Sequence, residues 1–230
     1  MKKKMAKYKV IEIFYSIDGE GRRAGELVTF IRMSGCNCKC SWCDTAWSQD
    51  CNAGKEMTSE EILAEVSKYN CKNITLTGGE PLLQPNIDEL INRLYVDGYD
   101  VNIETNGTID PEPYLKNRND VGGEVWATID YKSKSSGMQS KMNIDAFRRL
   151  NDRDVVKFVV GSQEELQDAD NFINEILDYK NAPDVYFSPV FGMIEPVEIV
   201  EFMKKRHYSS KVKVQVQLHK IIWDPMMQGV

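Results

Sequence analysis

Four of the six cysteines in this chain fall within eight residues, in Cys36-Asn-Cys38-Lys-Cys40-Ser-Trp-Cys43. Cysteines that close make poor disulfide partners and good metal ligands. Taken as Cys36-x3-Cys40-x2-Cys43, three thiolates on one short loop can wrap three irons of a cubane 4Fe–4S cluster. The fourth iron then lacks a protein ligand, so a bidentate small molecule can bind it and receive an electron. Zinc is one alternative, but structural zinc wants four closed ligands, often as two separated pairs, and no second Cys or His pair follows here. Redox or unliganded thiols are another. Cys38 alternates with Cys36 and Cys40 and is expected to point away as a small apolar side chain. Cys51 and Cys71 stand alone and are taken as ordinary thiols.

The cysteine loop comes directly after Leu27–Met33, one of eight short runs rich in Val, Ile, Tyr and Phe. The others are Tyr8–Ile13, Asn73–Thr77, Asp100–Glu104, Val125–Asp130, Val155–Val160, Asp184–Ser188 and Lys211–Gln217. Their length and composition predict strands of a covered, mostly parallel sheet. Amphipathic stretches lie between several of them. Thr58 opens one helix with Glu61 as a capping box, and Ile62, Leu63 and Val66 form its apolar stripe. Asn86–Asp97 is a second, stopped by Gly98. Ser162 caps a third with Glu165 in the capping-box position, and Pro196 lies in the first turn of a fourth, which runs to Arg206. Strand and helix in alternation are the sequence form of a βα barrel or a doubly wound sheet. Pro111–Gly123 and Lys132–Lys141 hold no convincing long helix, so the expected α/β fold is an incomplete βα barrel. No linker divides the chain. It is expected to form a single domain over residues 1–230, with residues 1–6 as a solvated tail.

Apolar residues make up 42% of the chain, charged residues 28%, and the formal net charge is −6. That balance argues against a general nucleic-acid binder, which shows a basic face. It leaves room for a small anionic substrate, since one Arg can bind a carboxylate in an acidic protein. No apolar run approaches the roughly 18 residues of a membrane helix, and no apolar signal-peptide core follows the basic start. A cytoplasmic protein without disulfides is the expectation.

With Trp42 just before its last cysteine, the loop resembles that of the radical S-adenosylmethionine superfamily. Thr77-Gly78-Gly79-Glu80-Pro81, after the strand Asn73–Thr77, is similar to the superfamily's Gly-Gly-Glu motif. That likeness implies that Gly78, Gly79 and Glu80 meet the amino group of the methionine moiety: glycines let backbone approach a ligand, and a carboxylate suits an ammonium. More narrowly, Phe14–Gly21, Phe30–Asn37, Cys40–Thr45, Glu104–Thr108 and Gln217–Lys220 resemble the 7-carboxy-7-deazaguanine synthases. The resemblance implies a modified, incomplete βα barrel, usually a homodimer. It implies conversion of 6-carboxy-5,6,7,8-tetrahydropterin to 7-carboxy-7-deazaguanine with loss of ammonia. A 4Fe–4S cluster, S-adenosylmethionine, Mg²⁺ and an electron donor such as flavodoxin or ferredoxin come with it. Asp18 stands where Gln is commoner, Cys38 where Leu is, and Asp130-Tyr131-Lys132 in place of the commoner Ser-Pro-Lys.

Carried over by position, the resemblance assigns Arg32 to the substrate carboxylate, a planar task suited to guanidinium. It assigns Ile17, Asp18, Gly19 and Glu20 to the pterin edge, and Thr77 and Glu104 to further substrate contacts. Trp42, Cys43 and Asp44, Gly79, Asp130 to Lys132, and Ser188, Pro189, Val190 and Phe191 fall at S-adenosylmethionine positions, and Thr45 at a Mg²⁺ ligand. Without the family, Arg32 would be a solvent-facing arginine, Glu104 a surface residue and Thr45 a helix N-cap. His207 and His219 show no ligand pairing and are taken as structural. The tail from Trp223 to Val230 is expected to turn over the barrel mouth, with Val230 touching the pterin. Two rivals remain: a glycyl-radical enzyme activase, and a zinc or iron–sulfur module that is not an enzyme.

Overall fold

A computed structural model describes residues 6–115, 122–176, 181–225 and 227–230. Nine strands form one sheet: β1 (Lys7–Ile17), β2 (Leu27–Met33), β3 (Lys55–Thr58), β4 (Asn73–Gly78), β5 (Asp100–Thr105), β6 (Val125–Lys132), β7 (Val155–Val160), β8 (Asp184–Pro189) and β9 (Val212–Val214). Their order is β3-β1-β2-β4-β5-β6-β7-β8-β9. From β2 to β9 every neighbour is parallel, while β1 runs antiparallel to both β2 and β3. The sheet does not close: β3 is one edge and β9 the other. It is the expected incomplete α/β barrel, in a single domain.

Among the described residues six helices accompany it: α1 (Ser59–Ser67), α2 (Ile87–Val96), α3 (Ile144–Arg148), α4 (Gln163–Ile176), α5 (Pro196–Arg206) and α6 (His219–Ile222). The Thr58 capping box on α1 is complete in both directions. On α4 only half of the expected box forms. The Ser162 hydroxyl accepts from the Glu165 amide, but the Glu165 carboxylate accepts from Gly161 N at 2.7 Å and from Ser135 N instead. It thereby ties the segment after β6 to the start of α4. α2 buries Ile87, Leu90, Ile91, Leu94 and Tyr95, and α4 buries Leu166, Ala169, Ile173 and Ile176. Each large aliphatic chain so buried contributes about 1.5–3 kcal/mol. These helices and the outward-facing strand residues form one core.

Several bounds differ from expectation. β1 extends to Ile17 because β2 pairs with it as far as Ile17–Leu27. β3, Lys55-Glu-Met-Thr58, is too polar to announce itself and exists as an edge strand on β1. β9 keeps three residues of the expected Lys211–Gln217. Between Lys132 and Lys141 there are only short 3₁₀ turns. Of the expected tail, residues 1–5 lie outside the described residues, and Ala6 packs against the core. Residues 116–121 of the stretch read as lacking a long helix also lie outside. No helix among the described residues is long and apolar enough to cross a membrane.

Candidate active site

The carboxyl ends of parallel strands are where a βα sheet gathers its chemistry. A cavity of about 640 Å³ opens there. Its walls include Cys36, Cys40, Cys43 and Thr45 from the loop after β2, Thr77, Gly78 and Gly79 at the end of β4, and Glu104 near the end of β5. Asp130 and Lys132 of β6, Pro189, Val190 and Phe191 at the end of β8, and Ile17 to Glu20 at the end of β1 also line it, with Arg32, Trp42, Asp44 and Val230. Strand register explains the gathering: Arg32 sits beside Thr77, and Asp130 beside Lys157.

The cysteine loop is docked on the segment after β6. Ser41 N donates to Ser136 O at 3.2 Å, Ser41 Oγ to Ser135 O at 2.6 Å, and Trp42 Nε1 to Ser135 Oγ at 3.0 Å. Lys141 Nζ reaches Asn37 O at 2.6 Å. The Asn106 side-chain amide lies 3.6 Å from Cys36 Sγ. The Cys38 thiol and this amide, outweighing burial, lower the Cys36 thiol to about 6, which favours the thiolate that binds metal. Burial raises Cys40, with Lys132 opposing. Cys38 corrects its expectation. It is 1% exposed, but its thiol sits against Cys36 and borders the cavity rather than pointing away.

The Gly-Gly turn serves the loop more than a ligand. A Cβ on Gly79 would lie 2.3 Å from Gly35 O and 2.9 Å from Cys36 Cβ. Gly78, at φ +146°, would meet Met33 O at 2.2 Å. Only glycines let the turn press against the cysteine loop.

Arg32 is not a solvent-facing arginine. Its Nε donates to Glu12 Oε1 at 2.8 Å, and its guanidinium lies over Trp47 and Phe14. Arg32 lines the cavity. Glu104 is no surface residue either: Thr77 Oγ1 donates to it at 3.4 Å, and burial raises its carboxyl, with Lys157 opposing. Asp18 accepts from Thr75 Oγ1 at 3.1 Å, with Arg23 Nε 3.7 Å away; burial first, then Glu104, pushes it up to about 7. Glu20 accepts from Ser188 Oγ at 2.8 Å and Lys157 Nζ at 3.2 Å; against burial, these two hold it below the ordinary carboxylate value. Thr45 precedes a short 3₁₀ turn without capping it, so its hydroxyl is not spent on the backbone.

Three expected contacts are placed away from the cavity wall. Glu80 is fully buried, and its carboxylate accepts from Leu82 N at 3.0 Å, Thr105 Oγ1 at 2.8 Å and Asn106 N at 2.7 Å. Its oxygens are taken up by groups of its own fold. Tyr131 alternates with Asp130 and Lys132 along β6 and so faces the other way, packing on Phe147, Phe158 and Phe172. Ser188 is spent on Glu20.

The Radical SAM superfamily model matches residues 30–122. A 7-carboxy-7-deazaguanine synthase of Clostridium acetobutylicum is 44% identical over 225 residues, covering 97% of this chain and 99% of that one. The chain belongs to the 7-carboxy-7-deazaguanine synthase family. Another member, from Methanospirillum hungatei, is 36% identical over 94% of this chain and 86% of its own. Crystal structures agree on the fold. QueE from Escherichia coli matches with a TM-score of 0.70 at 22% identity, over 92% of this chain and 94% of that one. Streptococcus suis SuiB, bound to the precursor peptide SuiA, gives 0.59 over 82% and 48%.

Membership of the radical S-adenosylmethionine superfamily implies a 4Fe–4S cluster and S-adenosylmethionine, and the donor set of this synthase-family chain fits both. The thiols of Cys36, Cys40 and Cys43 border one cavity, with Cys38 beside them, and no three His, Cys, Asp or Glu among the described residues are grouped to hold a single metal ion. A mononuclear zinc site needs that convergence. Asp130 Oδ1 is buried without a hydrogen-bond partner, an acceptor left for a ligand. Sequence reasoning missed Lys157, hidden in the apolar run of β7, although a charge in the middle of a buried strand was itself a signal. It also misplaced His219. That side chain lines the cavity against Gly19, where a Cβ would come 2.4 Å from its Nδ1. His207 is structural as expected, ending α5 in the left-handed conformation.

Proposed function

We propose that the chain catalyses the ring contraction of 6-carboxy-5,6,7,8-tetrahydropterin to 7-carboxy-7-deazaguanine, releasing ammonia, on a route to queuosine or another 7-deazapurine. The observation that carries this reading is one cavity holding both sets of groups: three cluster thiols on one side, Arg32, Glu20, Thr77 and Glu104 on another. When bound, the cluster and S-adenosylmethionine would supply the radical chemistry that this ring contraction needs. The protein's part is orientation and exclusion of competing reactions.

Arg32 offers its guanidinium ends to the substrate carboxylate, with Glu12, Trp47 and Phe14 fixing the plane. Glu20, held ionised, accepts from the amino and ring N–H groups of the pterin edge. Ile17, Asp18 and Gly19 shape that edge, and Glu104 with Thr77 closes the opposite side. Trp42, Cys43, Asp44, Gly78, Gly79, Asp130, Lys132, Pro189, Val190 and Phe191 form the S-adenosylmethionine wall. Thr45 would hold Mg²⁺, which would supply positive charge beside the substrate's oxygens. The tail turns over the mouth: Met227 to Val230 border the cavity, and Gly229 approaches Glu12 of β1. A flavodoxin or ferredoxin reduces the cluster, and the protein works as a homodimer in the cytoplasm.

The test is an anaerobic assay of reconstituted protein with the carboxy-tetrahydropterin, S-adenosylmethionine and Mg²⁺. The expected result is 7-carboxy-7-deazaguanine, with turnover falling when Mg²⁺ is omitted or Thr45→Ala is introduced. Slow cleavage of S-adenosylmethionine with no such product would reject the substrate assignment.

A further inference from the structure

Lys157 lies in the middle of β7, in Val155-Val-Lys-Phe-Val-Val160, and is 6% exposed. Burying an ammonium costs several kcal/mol unless partners compensate it. Lys157 has two. Its Nζ is 3.2 Å from Glu20 Oε2 and 3.7 Å from Asp130 Oδ2. These carboxylates serve different parts of the cavity. Glu20 lies in the loop that follows β1, and its other oxygen takes the Ser188 hydroxyl. Asp130 belongs to the cysteine side: Lys132 Nζ binds its Oδ2 at 2.7 Å and lies over the Trp42 ring of the cysteine loop. Asp130 Oδ1 is the buried acceptor without a partner.

A buried ion pair that only holds a fold together can often be replaced by apolar side chains at little cost. An ammonium between the carboxylates of two residues that line one cavity has more to do. Without it, Glu20 and Asp130 would lose their shared counter-charge and repel each other. Each would then be held from one side only, Glu20 by Ser188 and Asp130 by Lys132. Glu104 adds to the negative field at Lys157, while Asp44 and His219 act on Glu20 from the cysteine loop and α6.

We infer that Lys157 is a positioning residue shared by the two ligands, its one ammonium fixing Glu20 for the pterin edge and Asp130 for S-adenosylmethionine. The inference rests on the function proposed above and assigns it a residue that the family motifs do not include. Its signature is a double loss. Glu20→Gln should weaken the pterin alone, Asp130→Asn should weaken S-adenosylmethionine alone, and Lys157→Met should weaken both.

The experiment uses anaerobic calorimetry on reconstituted proteins of matched cluster absorbance. S-adenosylmethionine is titrated first, then 6-carboxy-tetrahydropterin into the loaded protein. Lys157→Met should lose about tenfold or more in each affinity, as truncating one partner of a buried charge pair does. Lys157→Arg, which keeps the charge, should restore most of both. If Lys157→Met fails to take up its cluster, Lys157→Gln makes the same comparison. A change within about twofold for either ligand, or a loss of both that Lys157→Arg does not restore, overturns the inference. A wild-type protein that binds S-adenosylmethionine but not the pterin overturns the functional reading instead, and the S-adenosylmethionine titrations then decide Lys157.

Discussion

Replacing Glu80 by glutamine separates a ligand role from a structural one at the residue whose motif most suggests a ligand. Glu80 Oε1 accepts from Leu82 N and Thr105 Oγ1, and Oε2 from Asn106 N. Glutamine must place its NH₂ at one of those positions. The Thr105 hydroxyl can turn and accept, but a backbone N–H cannot. Whichever way the amide flips, one buried N–H, that of Leu82 or Asn106, loses its acceptor. The cost is about 1–3 kcal/mol, which for a chain of this size lowers the melting temperature by roughly 3–10 °C. The carboxylate does not border the cavity, so calorimetric binding of S-adenosylmethionine to the reconstituted variant should stay within about threefold of wild type. Thermal unfolding by circular dichroism under anaerobic conditions gives the first quantity, and titration gives the second. An unchanged melting temperature with affinity down more than about tenfold would refute this and return Glu80 to the ammonium.

Cys38→Ala should keep the broad absorbance near about 400 nm of the reconstituted cluster, whereas Ala at Cys36, Cys40 or Cys43 should abolish it; a colourless Cys38→Ala protein would make Cys38 a ligand. Asp18 is raised from 3.8 to about 7, so its stabilising contribution is full at low pH and is lost as pH rises toward about 7. Urea unfolding should therefore show wild type losing about 1 kcal/mol between pH 6 and pH 8 that Asp18→Asn retains; parallel pH curves would contradict the shift. Deleting Gln228 to Val230 should leave the fold and cluster intact while raising the pterin KM or lowering kcat, and a C-terminal tag should act alike. Normal kinetics in both proteins would take the tail out of the site.

Much of the architecture could be read from the chain because parallel strands buried on both faces are continuous apolar runs. β4, β5 and β7 coincide with theirs to within a residue. β3 was not legible, since an edge strand of Lys, Glu, Met and Thr owes its existence to its partner Lys7–Val10 rather than to its own propensity. The site was legible where motif and strand end coincide, as at Cys36–Cys43, Arg32 and Thr77. It was not legible where only period-2 geometry decides: Tyr131 lies between two cavity residues and faces the opposite way. Lys157 and His219 escaped because burial in a charged cavity is a property of the packed sheet, not of neighbours in sequence.

The docking of the cysteine loop also bears on the order of events in folding. Ser41, Trp42 and Asn37 find partners that stand 93 to 104 residues further along the chain. Closing a loop of that length is an entropic cost met only when the intervening strands are already paired. During synthesis the three thiols emerge long before the Ser135–Lys141 wall that covers them. Until β6 is laid on β5, the cysteines stand open to whatever delivers iron and sulfide. After that step, the same hydrogen bonds hold the loop in place. A substitution at Ser135 or Lys141 therefore acts on the order of the cysteine loop without touching a cysteine.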